Sequence, residues 1–346
     1  MKRFFLIIFL LLLIGSGIAA WIVLGPATGF ESPKKDLLIS SKRATKKAVM
    51  DSLLTNHIIT NETAFEFLAN RMNYWQSIKP GRYEIKKGTS LLRIVRMLRN
   101  GQQTPVNLVI TKLRTKEDFA SLVGRKFETD STQMIEFLTT EDSLKKFETT
   151  PEESMFHVLP DTYTYFWNAS PSIIYQKIFD ASKKFWTTER IEKAKTHGLT
   201  PLQAYILASI IEEETTNQEE KGNIASVYIN RLNKNMPLQA DPTVKFALKD
   251  FSLRRIYEKH TQVESPYNTY RTTGLPPGPI CTPSRKTIES VLDAPQTGYL
   301  YFVARADFKQ AHDFSETYEE HLVKARLYQQ ALDRRDSLNK SKEPAK

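Results

Sequence analysis

Three consecutive carboxylates, Glu212, Glu213 and Glu214, follow directly on an unbroken run of small and apolar residues, Ala204-Tyr-Ile-Leu-Ala-Ser-Ile-Ile211. A carboxyl group emerging from such a run is drawn out of water. Desolvation disfavours its charged form, so it can hold a proton near neutrality. That is the property of a general acid able to protonate the oxygen of a glycosidic bond. Other reactive side chains offer less. The single cysteine, Cys281, lies in Gly-Pro-Ile-Cys-Thr-Pro with no histidine beside it and reads as a packed thiol; alone, it excludes an intrachain disulfide and a cysteine-based metal site. His312 and His321 have no standard metal spacing and no third ligand, and read as surface or packing histidines.

The element that must carry the glutamates is a helix with a clear start. Thr200 can cap it, Pro201 fits its first position, and Gln203 completes a capping box. Its run is apolar on nearly every face, which predicts a helix buried on most sides. At 100° per residue, Glu212 falls about 20° from Tyr205, Glu213 about 20° from Ile206, and Glu214 about 120° from Leu202. The wheel alone leaves the choice of acid open. By pattern alone, a helix leaving the core with its last turn solvated by glutamates is the simpler reading.

Upstream, Phe4 to Leu24 contains no charged residue, follows Lys2 and Arg3, and carries Trp21 near its far edge. At ~1.5 Å per residue this segment covers the roughly 30 Å of bilayer hydrocarbon, so it predicts an uncleaved membrane anchor rather than a signal peptide. The short basic tail 1–3 then stays inside and the remainder lies outside the cytoplasmic (inner) membrane. Residues 25–39, with Gly25, Pro26, Gly29 and Pro33, read as a linker. Helical spacing predicts helices over 43–54 and 63–71. Residues 82–85 read as a strand, 86–88 as a turn, 89–98 as a helix capped by Thr89, and 106–111 as a strand. Beyond Arg114 helical patterns dominate, clearest at 115–122, 131–138 and 171–185, and the polar tail 336–346 follows. A net charge of +10, from 49 Lys+Arg against 39 Asp+Glu, favours anionic partners, but no zinc-finger spacing or basic arm points to nucleic acid.

Seven motifs in one order carry a family resemblance. Leu-Ala-Ser-Ile-Ile-Glu-Glu-Glu-Thr (207–215) resembles the Ala-Ser-Ile-Ile/Val-Glu-x-Glu element of MltG/YceG-type murein transglycosylases. Asn223–Leu232 resembles the helix after it, and Leu-Gln-Ala-Asp-Pro-Thr-Val (238–244), Tyr-Asn-Thr-Tyr (267–270) and Gly-Leu-Pro-Pro-Gly (274–278) match further family elements. Leu159–Tyr163 and Tyr299–Val303 bracket the set, and residues 83–95 resemble a LysM repeat, a glycan-binding module. The resemblance implies an α+β protein: membrane helix 4–24, a small LysM-like domain at 40–111, and a mainly helical catalytic domain with some strands at 112–335. It implies a lytic transglycosylase that cuts the MurNAc–GlcNAc bond of peptidoglycan and leaves 1,6-anhydroMurNAc ends, endolytically, without cofactor or metal. By position, Glu212 would be the catalytic acid/base and Glu214 a supporting residue. Gln239, Asp241, Thr243, Asn268 and Tyr270 would bind substrate. Penicillin-binding proteins or other cell-wall synthases are implied as partners. A non-catalytic glycan-binding tether is the alternative, against which the intact Glu-x-Glu element stands.

Overall fold

A computed structural model describes residues 2–340; the end of the expected tail, 341–346, lies outside them. The chain is α+β, with many helices and three two-stranded sheets. It begins with α1 (Lys2–Leu24), the one described helix long and apolar enough to cross a membrane, with no residue buried against protein. Next come β1 (Lys34–Ile39), α2 (Lys46–Thr55), α3 (Glu62–Arg71), β2 (Gly81–Lys86), α4 (Leu91–Asn100) and β3 (Val106–Ile110). Then follow α5 (Lys116–Gly124), α6 (Ser131–Thr139), α7 (Glu141–Leu144), β4 (Asp161–Tyr165), α8 (Pro171–Phe185) and α9 (Thr188–Thr196). The remainder holds α10 (Pro201–Glu214), α11 (Lys221–Asn233), α12 (Asp241–Leu248), α13 (Glu258–Thr261), α14 (Arg285–Leu292), β5 (Tyr301–Ala304), β6 (His312–Ser315) and α15 (Tyr318–Lys340).

Two compact units form. The first comprises residues 1–108, 121–134 and 164–174, so its borders do not follow the expected 40–111 domain. Its β1 and β2 pair antiparallel, Leu37 opposite Tyr83 and Ile39 opposite Gly81. The inward residues Leu37, Ile39, Tyr83 and Ile85 pack with Phe65, Ile94, Val95 and Leu98 in one apolar cluster. Residues 25–39 are therefore not a linker. They contain β1, and Ala27 and Phe30 are 3% and 6% exposed in the same cluster. The amide of Ala27 donates to Thr89 O, and Ala27 O accepts from the Thr60 amide. The alternation in Lys-Lys-Asp-Leu-Leu-Ile reads as polar, and only the partner strand, far along the chain, makes it a strand. Ser90 rather than Thr89 caps α4, and Gly101, at φ 66°, closes it in the left-handed conformation glycine favours.

Among the described residues, the second unit comprises 109–120, 135–163 and the chain from 175 onward. Its core gathers around α10, whose residues Ala204 to Ile211 are all buried. Tyr205 donates to the carbonyls of Met155 and Val158, tying this core helix to the turn before β4. α11 and α14 supply Ile224, Ala225, Tyr228, Ile288 and Val291 to the same cluster. β5 and β6 form a hairpin with Phe302 opposite Phe314, and α15 continues past the expected boundary at 335.

Candidate active site

α10 is fixed at its N-terminus by the capping box: the Thr200 hydroxyl accepts from the Gln203 amide at 3.2 Å, and the Gln203 side chain accepts from the Thr200 amide at 2.8 Å. Further along, Ser209 Oγ accepts from the Ile280 amide at 3.0 Å, and the Cys281 thiol donates to Ser209 O. The loop after Gly-Leu-Pro-Pro-Gly is thus held against the helix. Cys281 is a packed thiol, 2% exposed, and burial pushes its pKa well up. The three glutamates at the other end diverge around the helix axis, each into different company.

Glu212 is held. Its Oε2 accepts from the Lys221 ammonium at 3.0 Å and from Ser284 Oγ at 3.2 Å, with Thr287 Oγ1 also hydrogen-bonded to it. Lys221 is itself 4% exposed and donates to Thr287 Oγ1 at 2.7 Å. The network joins the end of α10 to the starts of α11 and α14. All three contacts fall on Oε2 and tie the carboxylate to α11 and α14, which suits an anchor.

Glu213 is held too, between Lys112 at 2.9 Å and Arg114 at 3.0 Å. Burial works to raise its pKa, but the two cations outweigh burial and keep the carboxyl below its usual range.

Glu214 differs. Burial, reinforced by the negative charge of Asp241, raises its pKa to about 7 against the opposing pull of Lys245, the Tyr228 hydroxyl and Arg231. Its Oε2 is buried without a hydrogen-bond partner. It borders a cavity of 390 Å³ whose wall includes Arg305, Phe308, His312 and Tyr328. A carboxyl group whose pKa is pushed up to about 7, at a cavity wall, is placed as a general acid and base.

The expected binding residues divide into two sets. Asp241 starts α12 and accepts from the Tyr270 hydroxyl at 2.6 Å, so both belong to the electrostatic surroundings of Glu214. Burial, then Asp241, pushes the Tyr270 phenol up, which keeps it a hydrogen-bond donor. Gln239 is exposed on the preceding loop at φ 51°. Thr243 and Asn268 are fully buried behind these groups. The Thr243 hydroxyl serves Ala240 O and Thr269, while the Asn268 amide donates to the carbonyls of Thr261 and Val263. These two shape the loops rather than face the cavity. Asp161 pairs with Arg285 at 2.6 Å, and Tyr163 donates to Leu159 O. His312 contacts Glu220 at 3.0 Å, and His321 stacks on Tyr301. Among the described residues, no group of three or more His, Cys, Asp or Glu side chains could hold a metal.

Sequence reasoning did not single out Lys221, Ser284, Thr287, Tyr228 or Lys245. Lys221 sits among Gln218, Glu219, Glu220 and Asn223, where one more polar residue is no signal.

Comparison with known proteins adds context to this geometry. Residues 40–326 match the YceG-like family. An endolytic murein transglycosylase of Bacillus subtilis is 31% identical over 295 residues, 79% of each chain. One of Streptococcus pneumoniae is 27% identical over 286 residues; the match spans 71% of this chain and half of the pneumococcal protein. The crystal structure of a yceG-like protein from Listeria monocytogenes superposes with a TM-score of 0.55 at 27% identity, over 84% of this chain and 98% of that one.

Proposed function

Since this chain belongs to the YceG-like family, we propose that it is a lytic transglycosylase acting on peptidoglycan glycan strands, with Glu214 as the group that moves the proton. The observation that carries the assignment is the buried Oε2 of Glu214, unpartnered, on a carboxyl whose pKa lies at about 7. Glu212, the residue expected from motif position, is bound to Lys221, Ser284 and Thr287, and we assign it the anchoring role.

Protonated Glu214 donates to the oxygen linking MurNAc C1 to GlcNAc. As that C1–O bond breaks, positive charge develops at C1. The C6 hydroxyl of the same MurNAc attacks C1, and its proton passes to the Glu214 carboxylate. One C–O bond is exchanged for another, the acid is regenerated, and no water is consumed, so a second carboxylate to activate water is unnecessary. An internal nucleophile needs positioning more than activation. Gln239, Asp241 and Tyr270 are assigned to sugar hydroxyl and acetamido groups, with Thr243 and Asn268 holding the loops that present them.

The apolar helix α1 supports a single-pass anchor, with Lys2 and Arg3 inside and the catalytic unit outside the cytoplasmic membrane. The first unit, with its strand–helix–helix–strand order over 34–86, is assigned as the LysM-like glycan-binding module. Endolytic cutting accords with the relatives' name, and a role in limiting nascent strand length beside cell-wall synthases such as penicillin-binding proteins is part of the proposal.

The test is digestion of purified glycan strands by the full chain in detergent, with mass spectrometry of the products. Anhydro-MurNAc ends should appear with the parent. Glu214→Gln should lower the rate by about 10²–10⁴-fold, the range for a general acid, and Glu212→Gln should lower it less. Reducing ends carrying one added water would make the protein a hydrolase. Loss confined to Glu212→Gln would return the acid to Glu212.

A further inference from the structure

One residue around α10 from the acid lies a second, smaller cavity of 140 Å³, lined by Arg114, Glu213, Pro242, Lys245, Phe251 and Ile280. By the ~30 Å³ that a water molecule takes in the liquid, it has room for a group of several heavy atoms. Its charges do not balance. Glu213 is ion-paired with both Lys112 and Arg114. Lys245 is half-buried on the wall, with no hydrogen bond or ion pair among the described residues. Asp241, one turn earlier on α12, directs Oδ1 to Tyr270. Setting Lys112, Arg114 and Lys245 against Glu213 and Asp241 leaves one positive charge in excess while Glu214, on which Lys245 pulls, carries its proton. In addition, Arg114 Nε is buried with no acceptor, while the guanidinium lies over the Phe251 ring at 4.7 Å. A cationic cavity with an idle buried donor and an apolar wall fits a carboxylate on a short carbon arm.

We propose that this cavity takes a carboxylate carried on the lactyl arm of the MurNAc whose C1 is attacked. The proposal rests on the murein reading above. The lactyl ether hangs from C3 of that same ring, and Lys245, whose charge acts on Glu214, also lines this cavity. The carboxylate has two sources: the free lactyl acid of stem-less strands, and the acids of an attached peptide stem. In either case Lys245 is the specificity-determining cation; its described interaction is the electrostatic pull on Glu214, which a Glu214→Gln background removes.

The test measures binding by the full chain in detergent, in the non-cleaving Glu214→Gln background, by titration calorimetry. Three probes are used: stem-bearing strands, stem-less strands with free lactyl carboxylates, and stem-less strands with those carboxyls converted to methylamides. A charged strand should bind about tenfold tighter than the methylamide strand, as one charge-assisted contact implies. Lys245→Gln should erase that difference while leaving methylamide binding unchanged, and Lys245→Arg should restore it. The tighter of the two charged probes identifies the source. Equal affinity for all three probes overturns the proposal. So does a Lys245→Gln loss that is the same on the methylamide strand, because the lysine would then act only through general charge. If the parent chain cleaves nothing yet this pattern holds, the transglycosylase reading falls while the carboxylate site stands.

Discussion

The Glu212–Lys221 pair makes a sharp test of what the motif glutamates do. The Lys221 side chain is 6% exposed and that of Glu212 is 18% exposed, so each charge depends on the other rather than on water. Lys221→Met leaves the carboxylate with only the Ser284 and Thr287 hydroxyls. Glu212→Leu leaves the ammonium with only Thr287. Removing one partner of a buried pair costs about 3–5 kcal/mol. The residual hydroxyls and the partial exposure of Glu212 place each single substitution at about 3 kcal/mol. Replacing both partners by apolar side chains is often neutral, so the double variant should lie within about 1 kcal/mol of the parent, a coupling near 5 kcal/mol. Urea unfolding of the full chain in detergent, followed by near-UV circular dichroism, measures all four corners of the cycle. If Glu212 only anchors α10, the double variant should also retain strand cleavage within about tenfold of the parent. Additive single effects would refute the buried-pair energetics, and a folded but inactive double variant would refute the anchoring role of Glu212.

Three further outcomes are expected. Cleavage needs Glu214 protonated at the start of the cycle, so the rate should fall as pH rises through about 7; Asp241→Asn removes a charge that raises this pKa and should move the falling limb to lower pH in a pH–rate profile. His157 is buried near Ser182 and Lys183, and burial, then the Lys183 charge, lowers its pKa from 6.5 to about 4; the unfolded chain therefore takes up this proton first, and the stability of the parent relative to His157→Phe should drop by about 3 kcal/mol between pH 6.5 and 4 and level off below, the opposing Glu214 titration being common to both chains in melts across that range. A soluble form beginning at Gly25 should be more stable than one beginning at 31 by at least about 3 kcal/mol, the order of a lost buried phenylalanine, because the shorter form lacks Ala27 and Phe30; equal melting of the two would contradict their place in the core.

What the sequence made legible was local. Thr200, Pro201 and Gln203 announce the start of α10 within four residues, and the structure starts the helix there with both capping-box bonds formed. Pro171–Phe185 likewise needs only its own periodicity. β1 was hidden because Lys34, Lys35 and Asp36 look like linker until β2, paired from Gly81 onward, supplies the other edge. The choice among three adjacent glutamates was hidden for the same reason. A helical wheel gives directions, but the destinations belong to other elements: Lys221 and Thr287 for Glu212, Lys112 and Arg114 for Glu213, Tyr228 and Asp241 for Glu214. Thr243 and Asn268 sit in the right motifs, yet motif membership does not tell a side chain that meets ligand from one that braces a loop.

The packed state of Cys281 has a practical consequence. With its thiol 2% exposed and pushed well above its ordinary pKa, the native chain offers no fast-reacting sulfur to a maleimide or a nitroxide reagent. A cysteine introduced at exposed Thr216, on the rim of the cavity beside Glu214, would therefore take a fluorophore or spin label alone. Arrival and departure of a glycan could then be timed in the otherwise unaltered protein, without first deleting a native residue from beneath the catalytic helix.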